Sequence, residues 1–160
     1  MKNMEIREAV ESDSAQILAF IKELASYERA IDEVVADEKD IRESVFGSNS
    51  SVKALICTLD EKPIGFAVYF YNYSTWQGKK GLYLEDLYVS PEHRGVGAGK
   101  ELLKYLAKIA VSQGCGRFEW SVLGWNEPAI KFYDSIGAKQ KTEWVGYQLS
   151  GNALHEFSEH

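Results

Sequence analysis

Apolar positions along this chain follow a helical period first and a strand period afterwards. Ile17, Phe20, Ile21 and Leu24 recur three or four residues apart, which predicts a helix that buries one face. Ser12 or Asp13 is placed to cap it, with Gln16 completing an Asp-x-x-Gln capping box. Residues 4–9 ahead of it read as a strand, and residues 37–46 as a second, short helix. The period then shortens. Residues 52–59, 64–73 and 81–89 are rich in aliphatic and aromatic side chains and predict three strands. Turns at residues 60–63 and 74–79 join them into an antiparallel meander. Helical spacing returns with Leu102, Leu103, Leu106, Ile109 and Ala110, giving a helix over residues 97–112 that Gly114 and Gly116 end. Residues 117–122 form a strand that a crossover brings back parallel to the third meander strand. Asn126 caps a further helix, with Pro128 in its first turn and Gly137 beyond its end. A last strand or hairpin is expected over residues 139–149. Together these elements predict one α+β domain across residues 1–160, a mixed and mostly antiparallel sheet with helices on both faces.

Composition narrows the function classes. The 160 residues are 45% hydrophobic and 26% charged, ordinary for one globular core. No stretch approaches the ~20 apolar residues of a membrane span, and residues 1–5 hold no apolar signal core, so the expectation is a cytoplasmic protein with no membrane partner. Two cysteines, Cys57 and Cys115, suggest buried free thiols rather than a disulfide framework. A net charge of -6 argues against nucleic acid as partner and mildly favours a cationic small substrate. The histidines, His93, His155 and His160, join no cluster at metal-ligand spacing, so no metal is expected.

The most informative segment lies between the third meander strand and the helix after it: His93-Arg94-Gly95-Val96-Gly97-Ala98-Gly99-Lys100. Three phosphate-binding patterns compete for it. Walker A fails, because Glu101 stands where Ser or Thr is needed and Arg94 where the leading glycine belongs. The dinucleotide pattern Gly-x-Gly-x-x-Gly fails in both registers, at Lys100 and at Leu102. Glu119, ~20 residues on, mimics its ribose-binding acid, but a first Rossmann strand belongs near the start of its domain. The pattern Arg-x-x-Gly-x-Gly/Ala is met by Arg94, Gly97 and Gly99. Glycines there let backbone N–H groups approach a diphosphate, and the helix behind supplies orphan donors and a positive dipole end. The alternative is a turn that only joins strand to helix.

With these residues in view, the sequence resembles the GNAT superfamily of N-acetyltransferases. Within it the chain is similar to the diamine acetyltransferase family, which takes in spermidine/spermine acetyltransferases and thialysine N-epsilon-acetyltransferases. The likeness rests on residues 5–9, residues 21–28, the block Leu82-Tyr83-Leu84-Glu85-Asp86-Leu87-Tyr88-Val89, residues 88–99, and Trp125-Asn126-Glu127-Pro128-Ala129. It implies acetyl-CoA as co-substrate, held by the backbone of Leu87, Tyr88 and Val89, by Arg94 and residues Gly95, Val96, Gly97, Ala98, Gly99 and Lys100, and on another side by Asn126, Glu127, Pro128 and Ala129. It implies Tyr133 as general acid, and Tyr27, Glu28, Trp76, Glu85, Asp86, Glu119, Trp120 and Ser121 at amine-site positions. It also implies a homodimer.

The chemistry asks for those residue types. An alkylammonium with a pKa near ~10.4 must lose a proton before it attacks a thioester. Glu85 is the candidate base, or else an anchor for the cation. Asp86 next to it points to the opposite strand face unless a bulge intervenes. Tyr133 can protonate the departing thiolate, or is a core aromatic beside Ile130 and Ile136. Trp76 with Tyr27 and Glu28 can cage an ammonium, or Trp76 serves an interface. Spermine-acting members carry an Asp at the position of Ser74 and a Glu at that of Val145, which puts a short amine such as thialysine, a lysine-like amino acid or a diamine beside a polyamine as substrate; Glu143 compensates if the register shifts by two. The rival readings are a protein or peptide N-acetyltransferase, recruited by the acidic residues 28–38, a non-catalytic acyl-CoA-binding module, and a nucleotide-binding regulatory domain.

Overall fold

The computed structural model of the chain describes residues 3–159 and falls into two compact units, Met1–Ser121 and Val122–His160. The first unit is built on a five-stranded sheet in the order β1-β2-β3-β4-β5. Its strands are β1 (Met4–Glu8), β2 (Val52–Leu59), β3 (Lys62–Ser74), β4 (Lys79–Val89) and β5 (Phe118–Trp120). The first four pair antiparallel, and β5 runs parallel to β4. Helices α1 (Ser14–Tyr27), α2 (Glu38–Phe46) and α3 (Ala98–Ser112) complete this unit. The second unit carries α4 (Glu127–Ser135) and α5 (Gly151–Ser158). Among the described residues no helix is long and apolar enough to cross a membrane.

The sheet is buried on both sides. Ile17 and Phe20 of α1 pack with Ala54, Ile56, Phe66, Val68 and Tyr88, and the Phe20 ring stacks 5.4 Å from that of Phe66. Ile41, Val45 and Phe46 of α2 flank the same cluster. The alternate strand positions Leu55, Cys57, Ala67, Tyr69 and Leu82 are buried on the other side. There α3 turns its buried stripe Leu102, Leu103 and Leu106 inward, and the Leu87 side chain lies 3.9 Å from where a Cβ on Gly99 would stand. Burying each such aliphatic or aromatic side chain stabilises the fold by ~1.5–3 kcal/mol. Both cysteines are free, Cys57 buried and Cys115 half-buried.

Three local expectations are corrected. The Asp13–Gln16 capping box does not form: α1 has no side-chain cap. The Asp13 carboxylate instead accepts from the Val10 N–H at 2.7 Å and from both Arg7 guanidinium nitrogens at 2.8 and 2.9 Å, because a buried carboxylate gains more from a cation than from one amide. The expected strand over residues 117–122 shrinks to Phe118–Trp120. The expected strand or hairpin over residues 139–149 is irregular and exposed, with Trp144 at 64% and Tyr147 at 95% exposure. β-rich composition alone does not make a strand, and among the described residues the next regular element is α5.

Candidate active site

β4 carries the centre of the site. Val68 of β3 pairs with Asp86, and the next residue, Tyr69, pairs with Leu84. Glu85 is therefore an extra residue, a β-bulge. Val68 belongs to the cluster under α1, so its partner Asp86 faces α1. Tyr83 pairs with Phe70, two residues on from Val68, and shares that face; Glu85, two residues from Tyr83, follows it. The bulge thus sets two consecutive carboxylates on one side of the sheet. Glu85 is exposed and Asp86 half-buried. Burial pushes the Asp86 carboxyl up to about 6, with repulsion from Glu85 and Glu28 adding to it. Glu28 closes the C-terminus of α1, and burial raises its carboxyl as well. Three acids, Glu28, Glu85 and Asp86, accordingly converge on the α1 face.

The glycine turn begins one residue beyond Arg94. The Arg94 Nε donates to the Val89 carbonyl at 3.1 Å. Its guanidinium lies 5.0 Å from the Tyr27 ring and 5.6 Å from the Tyr88 ring. The Tyr88 hydroxyl donates to Glu23 at 3.1 Å. Gly95 and Gly97 hold φ of 92° and 84°, in the left-handed region that suits glycine. A Cβ on either would meet nothing within 4 Å, so the space over the turn is open. Gly97 precedes α3, and its carbonyl accepts from the Glu101 N–H at 3.0 Å. The N–H groups of Ala98, Gly99 and Lys100 have no acceptor within the helix. This is a cradle that fits a diphosphate. The neighbouring edge of β4 fits an amide chain. β5 pairs with β4 only from Leu82 to Leu84, and among the described residues no strand pairs with Leu87, Tyr88 and Val89 on that side.

The remaining residues singled out from the sequence separate. Glu119 pairs with Tyr83 across the β4–β5 register and shares the carboxylate face, as does Ser121, whose Oγ lies 2.8 Å from the Tyr83 hydroxyl. The Glu119 carboxylate engages Arg117 at 2.9 Å and the Asn72 amide at 3.4 Å. Trp120 pairs with Leu84 and lies on the opposite face, 4.9 Å from the Phe118 ring. Trp76 sits in the β3–β4 turn, 88% exposed. The run of β4 from Lys79 to Glu85 spans about 20 Å at ~3.3 Å per residue, so the first unit does not bring Trp76 to the carboxylates. In the second unit Asn126 caps α4, its side chain accepting from the Ala129 N–H at 3.4 Å, with Glu127 and Pro128 in the first turn. Tyr133 lies in α4, half-buried, its ring 5.8 Å from that of Phe132. Sequence reasoning missed Glu23 and the stacking of Arg94 on Tyr27. Glu23 and Tyr27 stand four apart on α1, which is the signal that they share one helix face.

Comparison with known proteins bears on this arrangement. Residues 17–138 match the Acetyltransferase (GNAT) family. The chain is 37% identical over 169 aligned residues to a thialysine N-epsilon-acetyltransferase of Sus scrofa, with 99% of each chain covered. It is 44% identical over 90 residues to the L-ornithine N5-acetyltransferase NATA1 of Arabidopsis thaliana, covering 56% of this chain and 40% of that one. Among solved structures, an integron cassette protein from the mobile metagenome of V. cholerae superposes with a TM-score of 0.83 at 31% identity, over 98% of both chains.

Proposed function

The chain belongs to the GNAT acetyltransferase family, and on that premise we propose that it transfers an acetyl group from acetyl-CoA to the side-chain amine of a small cationic amino acid of the thialysine, lysine or ornithine type. The observation that carries the reading is the bulge at Glu85, which sets Glu85 and Asp86 side by side on β4, the strand that leads into the glycine turn. Two relatives named for amino-acid side-chain amines support the substrate class. Ser74 weighs against a long polyamine: it is buried, its hydroxyl accepting from the Gln77 N–H, and offers no carboxylate for a distal cation.

Acetyl-CoA supplies the activated acyl thioester; Arg94 and residues 95–100 would hold its diphosphate and the Leu87–Val89 edge its amide chain. Glu85 and Glu28 attract the ammonium. Asp86, with a carboxyl near 6, is ionised at neutral pH and accepts the proton the amine must shed. We assign protonation of the departing thiolate to Tyr133, on the resemblance of residues 125–129 to the family block. A thiol needs little such help, so Tyr133→Phe should slow turnover without abolishing it. The reading extends to a cytoplasmic homodimer, for which the exposed side chains of Trp144, Val145 and Tyr147 offer apolar surface to a second copy.

The decisive experiment is a thiol-release assay with acetyl-CoA over thialysine, lysine, ornithine, putrescine, spermidine and basic peptides. Preferred turnover of thialysine, lysine or ornithine is the expected result. Release with peptides alone would move the function to protein acetylation. Tight coenzyme A binding with no turnover of any amine would make the chain a binding module.

A further inference from the structure

We propose that Arg94 is a positioning residue that couples binding at the glycine turn to binding at the carboxylates. The inference rests on the acetyltransferase reading and deepens it. Arg94 is the last residue before Gly95, so its backbone moves with the turn that would take the diphosphate. Its side chain leaves the turn. The Nε donates to the Val89 carbonyl at 3.1 Å, which aims the guanidinium back along β4. There it stacks on two rings, Tyr27 at 5.0 Å and Tyr88 at 5.6 Å. Tyr27 is the last residue of α1, and Glu28 follows it directly. Tyr88 reaches the same helix through its hydroxyl, which donates to Glu23 at 3.1 Å. Glu23 and Tyr27, one turn apart, are thus both tied to β4, one by Tyr88 and the other by Arg94.

A diphosphate that fixes the turn fixes Arg94, and Arg94 then holds the end of α1 that carries Glu28 beside Asp86. An ammonium drawn to Glu28 and Asp86 orders the same helix end, and Arg94 and the turn with it. The ordering cost is shared, so the first ligand makes the second bind more tightly. Linkage requires the effect to be equal in both directions. Arg94 is exposed, and two stacking contacts of that kind set the coupling at roughly 5- to 30-fold. Lysine keeps the charge at this position but loses the planar stack and the fixed Nε donor. A purely phosphate-binding Arg94 would instead change affinity for coenzyme A alone.

The test is isothermal titration of the full chain with coenzyme A, in the absence and presence of saturating thialysine, for the wild type, Arg94→Lys, Tyr27→Leu and Tyr27→Phe. The wild type is expected to bind coenzyme A about 5- to 30-fold more tightly with the amine present. Arg94→Lys and Tyr27→Leu should bind both ligands with the coupling reduced to about twofold or less, and Tyr27→Phe, which keeps the ring, should retain it. Arg94→Lys is mild and keeps the test alive if Tyr27→Leu fails to fold. Coupling that survives in Arg94→Lys would overturn the proposal. So would a wild type that binds both ligands independently, leaving the acetyltransferase reading in place. A wild type that binds neither ligand overturns both.

Discussion

Glu85 and Asp86, adjacent in sequence, present their carboxylates on the same side of β4. The cause is one extra residue in the β3–β4 ladder, opposite the step from Val68 to Tyr69. Such a bulge re-aims a side chain, here that of Glu85. It also sets up an electrostatic contrast: the exposed carboxylate is open to a cation, and the half-buried one is raised to about 6 by burial and by its neighbours.

Asp86→Asn is expected to lower kcat/KM for the amine by about 10²–10⁴, the usual worth of a general base. In the wild type the rate should rise as pH passes about 6, where Asp86 becomes ionised, and Asp86→Asn should lose that limb. Glu85→Gln should raise KM for the amine and leave the limb in place. A pH-rate profile of kcat/KM for the three proteins checks both; a limb that persists without Asp86 would transfer the base role elsewhere.

Gly97→Ala separates backbone conformation from crowding. No atom lies within 4 Å of the added Cβ, yet φ is 84°, which costs a non-glycine residue ~1–2 kcal/mol. The methyl would also project into the open space over the turn. Denaturant melts should show a loss of about 1 kcal/mol, and calorimetry a weakening of coenzyme A binding larger than that of the amine. Equal weakening of both would mean that the turn acts through the fold alone.

Much of this was legible in the chain because local pattern and global packing agree. Ile17 and Phe20 announce the buried face of α1, and residues 52–59 are the bounds of β2. The glycine turn could be read because Gly95 and Gly97 hold a backbone geometry few other residues tolerate. The bulge could not: Glu85 becomes the extra residue only through the register of β3 against β4, which no local signal fixes. Residues 139–149 misled for a related reason, since β-rich composition predicts a strand and a strand needs a partner. Asp13 fits the capping motif, and the competing Arg7 lies six residues away on a different element.

The β2–β3 connection offers a change remote from the carboxylates. Leu59 and Lys62 pair across a two-residue loop, and Asp60 and Glu61 both hold positive φ, 49° and 69°. That is the primed turn which matches strand twist and favours glycine. Asp60 is engaged by the Asn3 N–H at 2.8 Å, so Glu61 is the residue to replace. Glu61→Gly is expected to stabilise by about 1 kcal/mol and to leave kcat and both KM values unchanged, read by thermal melts beside the thiol-release assay.

Asp13 supplies the opposite pH signature to Asp86. Its carboxylate takes two hydrogen bonds from Arg7 and one from the Val10 N–H. The Arg7 bond, ahead of the amide, holds its carboxyl below the ordinary 3.8. The unfolded chain therefore binds the proton more readily, and the stability this pair contributes is present above about 3.8 and lost as pH falls below it. Asp13→Asn should cost about 2 kcal/mol at pH 7, the worth of hydrogen bonds to a charged group, with the deficit closing at acid pH. Asp86 runs the other way. Its folded-state carboxyl is raised from 3.8 to about 6, so the folded state binds the proton more readily and stability falls as pH rises between those values. Asp86→Asn should therefore be more stable than the wild type at pH 7 and match it below about pH 4. One series of melts from pH 3 to 8 tests both signs at once. If both variants lose stability at pH 7, Asp86 is a fold-stabilising carboxylate, and the base role assigned to it loses its electrostatic support.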